Sequence, residues 1–372
     1  MKIAIVRRKC GFSMGGAEGY CANVATKLVE RGHQVAIVAD ESTLDGIRFE
    51  RARVAGRGSI LKNLGFFMES RNVLERLDSH LIYGLSRIRE ANFLRISDPL
   101  HSAWLDLGYD PSLPFSFLRR ISLRHSLLLW QERESIRSCG YLVTNSNLVK
   151  EQLASYYRVR PEYVFTVYNG VDHERFSPLS KKERQSTREM LGIGAGETAI
   201  LFAGSDLKRK GLSHLLRAAG RLDQPVKIFI AGAEKDPGAA SLCQKEGIAA
   251  RVFWLGFRLD MERLYQAADL FCLPTLYDPF ANSVLEAISC GTPALTTRLN
   301  GASEVLLPVC PELVVSRPEP EKLTNAMKYF TGLSTGEKDA LRQKLYDRSM
   351  DFSWDQHIDQ LEELFRRYKI SS

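Results

Sequence analysis

Residues 2–39 begin Lys2-Ile3-Ala4-Ile5-Val6, run through a Gly-containing loop at 11–16 and a helical pattern at about 17–31, stop at Gly32, and resume as an apolar run at 34–39. Two short apolar runs separated by an amphipathic helix cannot pair as a hairpin. They form β-loop-α-β, the first unit of a parallel, doubly wound α/β sheet. Further runs at 81–84, 93–96 and 141–144 continue that sheet, and Leu148 to Tyr157 has the spacing of a helix. The stretch 114–138, rich in Leu, Phe and Arg, is expected to form one helix. After Val164-Phe165-Thr166-Val167 and the polar stretch from Ser177 to Thr187, a second set of strands is expected at 198–203, 226–231, 251–254, 269–273 and 294–297. The chain divides into 1–168 and 169–354, with the boundary region at 165–190 and a closing helix, about 355–369, that follows Phe352-Ser353-Trp354 and is expected to cross back to the first domain. Two such domains facing across a cleft would present their strand C-terminal ends to it, where ligands of open α/β sheets bind.

At 372 residues the chain exceeds one ordinary hydrophobic core, which agrees with two domains. A hydrophobic fraction of 44% and a charged fraction of 26% are those of a soluble globular protein. Seven scattered cysteines include no CxxC and no Cys/His cluster, so no metal site is expected and the thiols suit a reducing compartment. Ile3-Ala4-Ile5-Val6 is too short for a signal-peptide core, and no apolar run reaches membrane-spanning length. The expected setting is the cytoplasm. Charge is uneven: residues 1–170 hold 24 Lys and Arg against 17 Asp and Glu, and the remainder holds 27 of each. The first half therefore suits an anionic partner, whether a membrane surface, a phosphorylated acceptor or nucleic acid, or simply has a basic surface. The basic 114–137 stretch suits the inner face of a membrane and equally an ordinary sheet-covering helix.

Candidate residues collect at predicted strand ends. Gly15-Gly16 follows the first strand and allows close backbone approach, yet it is not a GxGxxG fingerprint. Gly204-Ser205-Asp206-Leu207-Lys208-Arg209-Lys210-Gly211 places three consecutive cations after the strand at 198–203, without the pattern of a P-loop. Phe257 and Arg258 end another strand, beside a base or within a core. Asp98-Pro99-Leu100-His101 puts a histidine at a strand end, where it can orient a substrate or carry a proton, or serve structure alone. Asp278-Pro279-Phe280-Ala281-Asn282-Ser283-Val284-Leu285-Glu286 sets two acids between a strand and a helix, with Glu286 expected in or near the first helical turn. That spacing suits a polyhydroxylated, phosphorylated ligand, and it also fits an acidic strand-to-helix loop.

With Gly15-Gly16-Ala17-Glu18, Asn169-Gly170-Val171-Asp172, Arg209-Lys210-Gly211, Asp278-x7-Glu286, Gly291-Thr292-Pro293 and Gly301…Glu304 in order along the chain, the sequence resembles the GT-B glycosyltransferases of retaining family 4, and among them the lipopolysaccharide core glucosyltransferases. The resemblance implies a retaining hexosyltransferase using a nucleotide-diphosphate sugar, UDP by family weight, as co-substrate and no cofactor or metal. Its acceptor would be a glycan or lipid-linked sugar held by the first domain, with the donor on the second. By the same resemblance Arg209 and Lys210 hold the diphosphate, Gly15 and Gly16 let backbone amides approach the same phosphates or the sugar, and Ser205 lies in the donor-binding loop. Asp278 meets the sugar among the amides of Phe280, Ala281 and Asn282, with Ser283 beside them. Glu286 binds the ribose, Phe257 and Arg258 flank the base, and His101 approaches the sugar or acceptor. The family's first acid is usually Glu, so Asp278 followed by Pro279 is a departure, and Ser205 stands where many relatives carry Arg. A sugar-nucleotide epimerase, a phosphorylase, a nucleic-acid binder and a two-lobed solute-binding protein are the alternatives. A phosphorylase would be far longer, a nucleic-acid binder leaves the acid pair unexplained, and a solute-binding protein would need export.

Overall fold

Four of the five residues of the first strand, β1 (Lys2–Val6), are buried, because in a sheet covered by helices on both faces neither side of a central strand meets water. The computed structural model describes residues 1–12, 16–54, 58–108, 122–224 and 226–368. These divide into two compact units, Met1–Tyr168 with Asp355–Ser372, and Asn169–Trp354.

In the first unit β1 is followed by α1 (Gly16–Glu30), β2 (Gln34–Ala39), β3 (Arg48–Arg51), α2 (Ser59–Leu74), β4 (Leu81–Gly84), β5 (Phe93–Ile96), α3 (His101–Leu107), α4 (Leu123–Ser138), β6 (Tyr141–Thr144), α5 (Asn147–Tyr157) and β7 (Val164–Thr166). The seven strands are parallel, in the order β3-β2-β1-β4-β5-β6-β7. Edge strand β3, Arg-Phe-Glu-Arg, escaped the sequence reading because it is polar and largely exposed, as suits an edge that must not recruit another chain. The single helix expected over 114–138 is not observed: Ser122 is extended and caps α4 by accepting from the His125 amide, so the helix starts at Leu123. Residues 114–121, with Phe115, Phe117, Leu118, Arg119, Arg120 and Ile121, lie outside the described residues.

The second unit repeats the plan. The polar stretch expected to be a connection contains α6 (Lys181–Met190), opened by a capping box between Ser180 and Glu183. Its Arg184 and Arg188 reach the Asp269 carboxylate at 2.7 and 2.9 Å. There follow β8 (Thr198–Ala203), α7 (Leu212–Gly220), β9 (Val226–Ala231), α8 (Pro237–Lys245), β10 (Val252–Gly256), α9 (Met261–Ala267), β11 (Leu270–Leu273), α10 (Asn282–Ser289), β12 (Ala294–Thr297) and β13 (Val314–Val315). The order β10-β9-β8-β11-β12-β13 is again parallel and again reverses beside its first strand. In each sheet this reversal opens a crevice at the strand C-terminal ends: β1 with β4, and β8 with β11.

The final helix, α11 (Trp354–Arg367), packs on the first unit through the stripe His357, Ile358, Leu361 and Phe365. Phe365 meets the rings of Tyr83 and Phe93. Buried His357 bridges the Tyr20 hydroxyl at 2.8 Å and the Tyr168 carbonyl at 2.5 Å. Along the rim Arg31 pairs with Asp359 and Glu362, and His33 with Glu362. No described helix is long and apolar enough to cross a membrane.

Candidate functional site

The loops after β8 and β11, neighbouring strands at the crevice of the second sheet, are locked together by backbone. Gly211 has φ +80°, and a Cβ there would lie 2.0 Å from the Pro274 carbonyl oxygen, so only glycine permits this approach. The Arg209 carbonyl accepts from the Leu276 amide and the Thr275 hydroxyl, each at 2.8 Å. This lock delivers two cations to one oxygen: Arg209 Nη1 and Lys210 Nζ donate to Asp278 Oδ2 at 2.7 and 2.8 Å. Oδ1 of the same carboxylate accepts from the Phe280 amide at 3.2 Å, and Arg209 Nε donates to Asp206 at 3.1 Å.

Asp278 is 6% exposed. Burial by itself would raise its carboxyl pKa, but Lys210 and Arg209 outweigh that and hold it below its ordinary value. Burial likewise works against the Arg209 charge, and Asp278 restores it, leaving the guanidinium more firmly protonated than usual. Arg209 Nη2 and two of the three Lys210 protons have no partner among the described residues. The cluster can therefore accept a further anion without first breaking its internal bonds.

The loop after β12 braces Asp278 from the other side. The Asp278 amide donates to the Leu299 carbonyl and its carbonyl accepts from the Gly301 amide, each at 2.9 Å. Fully buried Asn300 accepts from the amides of Ala281 and Ala302 at 3.1 Å. The Phe280 and Ala281 amides expected around a sugar are thus engaged within the protein. Glu286 is the fifth residue of α10, in its second turn, so the N-terminal dipole is not what holds its carboxylate. Its partner is buried Tyr265 of α9, whose hydroxyl donates to Oε2 at 3.0 Å. Burial raises the Glu286 pKa, against the pull of Tyr265, Arg175 and Lys210. Oε1 has no hydrogen-bond partner among the described residues. Tyr265 and Asn300 were missed in the sequence, Tyr265 because it lies 21 residues before its acid on another helix. Asn300, directly before the Gly301…Glu304 stretch, carried a signal by position.

The remaining sequence candidates are spread more widely. Ser205 is exposed in the β8 loop. Asn282 opens α10 and accepts from Asn169 Nδ2 at 2.5 Å, and Ser283 follows it. Phe257 is 75% exposed beyond edge strand β10. Arg258 gives both arms of its fork to Asp260, at 2.7 and 2.6 Å. In the first unit Gly15 lies outside the described residues, and Gly16 starts α1. His101 is not at a strand end but is the first residue of α3, where its amide donates to buried Glu132 at 2.7 Å. Its ring stacks on His125 with Nε2 2.9 Å from Nδ1. Burial, with Arg87, His125 and Arg124, overrides the Glu132 charge and lowers its pKa to about 4, so at neutral pH the ring is uncharged. The structure thus brings together Arg209, Lys210, Asp278 and Glu286 in the second unit, while Gly16 and His101 belong to the first.

Residues 14–175 match the family model described as Glycosyltransferase Family 4, and residues 183–347 the model described as Glycosyl transferases group 1. Among curated relatives, an uncharacterized glycosyltransferase of Methanocaldococcus jannaschii is 25% identical over 79% of this chain and 79% of its own. A D-inositol 3-phosphate glycosyltransferase of a Mycobacterium species is 33% identical over 46% of this chain, which spans only 40% of that relative's length. Among solved structures, WaaG, a glycosyltransferase involved in lipopolysaccharide biosynthesis, superimposes with a TM-score of 0.83 at 20% identity, covering 97% of this chain and 99% of its own. Anabaena HepE in complex with UDP-glucose gives 0.72 at 19%, covering 99% and 100%.

Proposed function

The chain belongs to the group 1 and family 4 glycosyltransferases and has their GT-B fold, and from that premise we propose that it transfers a hexose from a UDP-sugar to a glycan or lipid-linked acceptor with retention of configuration, in the synthesis of lipopolysaccharide core or another cell-surface glycan. One observation carries the reading. Arg209 and Lys210 converge at the crevice of the second sheet with hydrogen-bond donors to spare among the described residues, and Glu286, on which the Lys210 charge acts, has an Oε1 without a partner among them.

The donor diphosphate takes the spare donors of Arg209 and Lys210, an arrangement suited to planar and point-charge grips on phosphate oxygens. Glu286, fixed by Tyr265, accepts from a ribose hydroxyl, and exposed Phe257 offers a face to the base. An acceptor hydroxyl attacks the anomeric carbon on the face that the diphosphate leaves. The bond from that carbon to the diphosphate oxygen breaks, and the departing diphosphate takes the hydroxyl proton. The two cations stabilise the charge that builds on the leaving group, so positioning and electrostatics carry the rate rather than an enzymic nucleophile. With that charge supplied by side chains, the transfer proceeds without a metal or cofactor. His101, neutral at physiological pH, orients a sugar hydroxyl and does not act as a charged acid. The enzyme works in the cytoplasm, on the inner face of the membrane.

A thermal-shift series with UDP, GDP and ADP tests this. Stabilisation by UDP above the other two is expected, and no response to any diphosphate at millimolar concentration sinks the reading.

A further inference from the structure

The first sheet has its own crevice, and the side chains there do not belong to the donor site. Arg7 follows β1, Ser86 and Arg87 follow β4, and Asp98 follows β5; with Glu18 of α1 and Gln131 of α4 they surround a cavity of about 240 Å³. Its place beside the β1–β4 reversal is where a sheet of this topology binds ligands.

Two buried side chains on this cavity are incompletely satisfied. Arg7, 6% exposed, donates through Nη1 to the Leu85 carbonyl at 2.6 Å and lies 3.4 Å from Glu18 and 3.7 Å from Asp98, yet its Nε has no partner among the described residues. Gln131, 1% exposed, has an amide Nε2 in the same condition. Buried polar groups in folded proteins are almost always paired. Both orphans are donors, so what completes them is an acceptor. Arg8 adds positive charge and makes no ion pair among the described residues. Of the other cations on the lining, Lys9 pairs with Glu41 and Arg87 with Glu132, while Arg7 lies between Glu18 and Asp98. The unpaired Arg8 charge beside the two orphan donors suits a phosphate, and flanking carboxylates suit hydroxyl groups. The cavity falls just below the usual range for ligand pockets, roughly 300–1,000 Å³, which fits one sugar ring better than an oligosaccharide.

We propose that this cavity holds a phosphorylated sugar of the acceptor, its phosphate on Arg7, Arg8 and Gln131 and its hydroxyls on Glu18 and Asp98. This rests on the transferase reading above and names the acceptor class. It also gives a use to part of the positive excess in the first half of the chain.

Calorimetric titration of the full chain with glucose 6-phosphate, glucose and inorganic phosphate tests it, with a parallel UDP thermal shift. Glucose 6-phosphate should bind about tenfold or more tightly than either fragment, and Arg8→Gln and Gln131→Met should each weaken it about tenfold while leaving the UDP shift unchanged. Equal binding of the three probes, indifference to both substitutions, or displacement of glucose 6-phosphate by UDP overturns the proposal. A chain that responds to UDP but not to glucose 6-phosphate overturns this inference and leaves the donor site standing. A chain that binds glucose 6-phosphate but not UDP overturns the donor site and, with it, the assignment of this cavity to an acceptor.

Discussion

Replacing Asp278 with Asn separates two roles of this carboxylate that have opposite signs. In the ligand-free chain Asp278 Oδ2 receives Lys210 at 2.8 Å and Arg209 at 2.7 Å, so it holds the very cations a diphosphate needs. A hydrogen bond between charged groups contributes about 1.5–3 kcal/mol net, against about 0.5–1.5 for a neutral acceptor in the same place. With two such bonds, Asp278→Asn should destabilise the fold by about 2–3 kcal/mol, lowering the Tm by roughly 4–12 °C for a unit of this size. The same change removes a negative charge that competes with the incoming diphosphate. UDP should therefore bind about tenfold more tightly, and a tenfold gain in affinity adds about 1.4 kcal/mol of ligand-induced stabilisation. The assay is the thermal shift of both proteins at several fixed UDP concentrations. A lower Tm without ligand, with a larger increment on adding UDP, is the expected pair of results. An increment in the variant equal to or smaller than that of the parent refutes the competition argument and makes Asp278 an organiser of the cations.

Lys210→Ala should reduce turnover about 10²–10³-fold while the ligand-free Tm moves little, because Arg209 remains on Asp278; steady-state kinetics beside a melting curve checks both halves. Acid should weaken the first unit: burial, then the Arg95 charge, lowers the His357 pKa to about 3, so the unfolded chain takes up the proton first as pH falls below about 6.5, and stability present above that pH is lost progressively towards pH 3. His357→Gln should accordingly shrink the difference in urea-unfolding stability between pH 7.5 and pH 4.5 by about 2–3 kcal/mol, and an unchanged difference removes His357 as the cause. If the basic first half meets an anionic membrane face, the chain should pellet with vesicles containing acidic lipid and not with neutral vesicles, and a lipid-independent result favours an ordinary solvated surface.

Much of the fold was legible because its signals are local. Runs such as 2–6 and 34–39, with a helix between them, admit few arrangements other than parallel strands on a helix-covered sheet. What failed had local patterns that pointed elsewhere. Strand β3 is too polar to look like a strand, and α6 looked like a linker because it buries arginines against Asp269 instead of an apolar stripe. The stretch 114–138, rich in Leu, Phe and Arg, suggested an uninterrupted helix, and nothing but the Ser122 cap marked the start at Leu123. At the site, residue types and strand ends were readable, but partnerships were not. That Asp278 binds both cations, that Tyr265 supports Glu286, and that Arg258 is taken by Asp260 depend on which loops the sheet order makes adjacent. His101 shows the same limit, since its depressed pKa comes from burial that its sequence neighbours do not reveal.

The central claim is that Arg209 and Lys210, gathered by Asp278, hold the diphosphate of a nucleotide sugar. It is tested most directly by incubating the full chain with a panel of nucleotide hexoses, without acceptor, and following slow donor hydrolysis by mass spectrometry. A UDP-hexose should yield UDP and free sugar, and Lys210→Ala should abolish that release. Release that persists unchanged in the Lys210 variant, or no turnover of any donor in the panel, contradicts the claim.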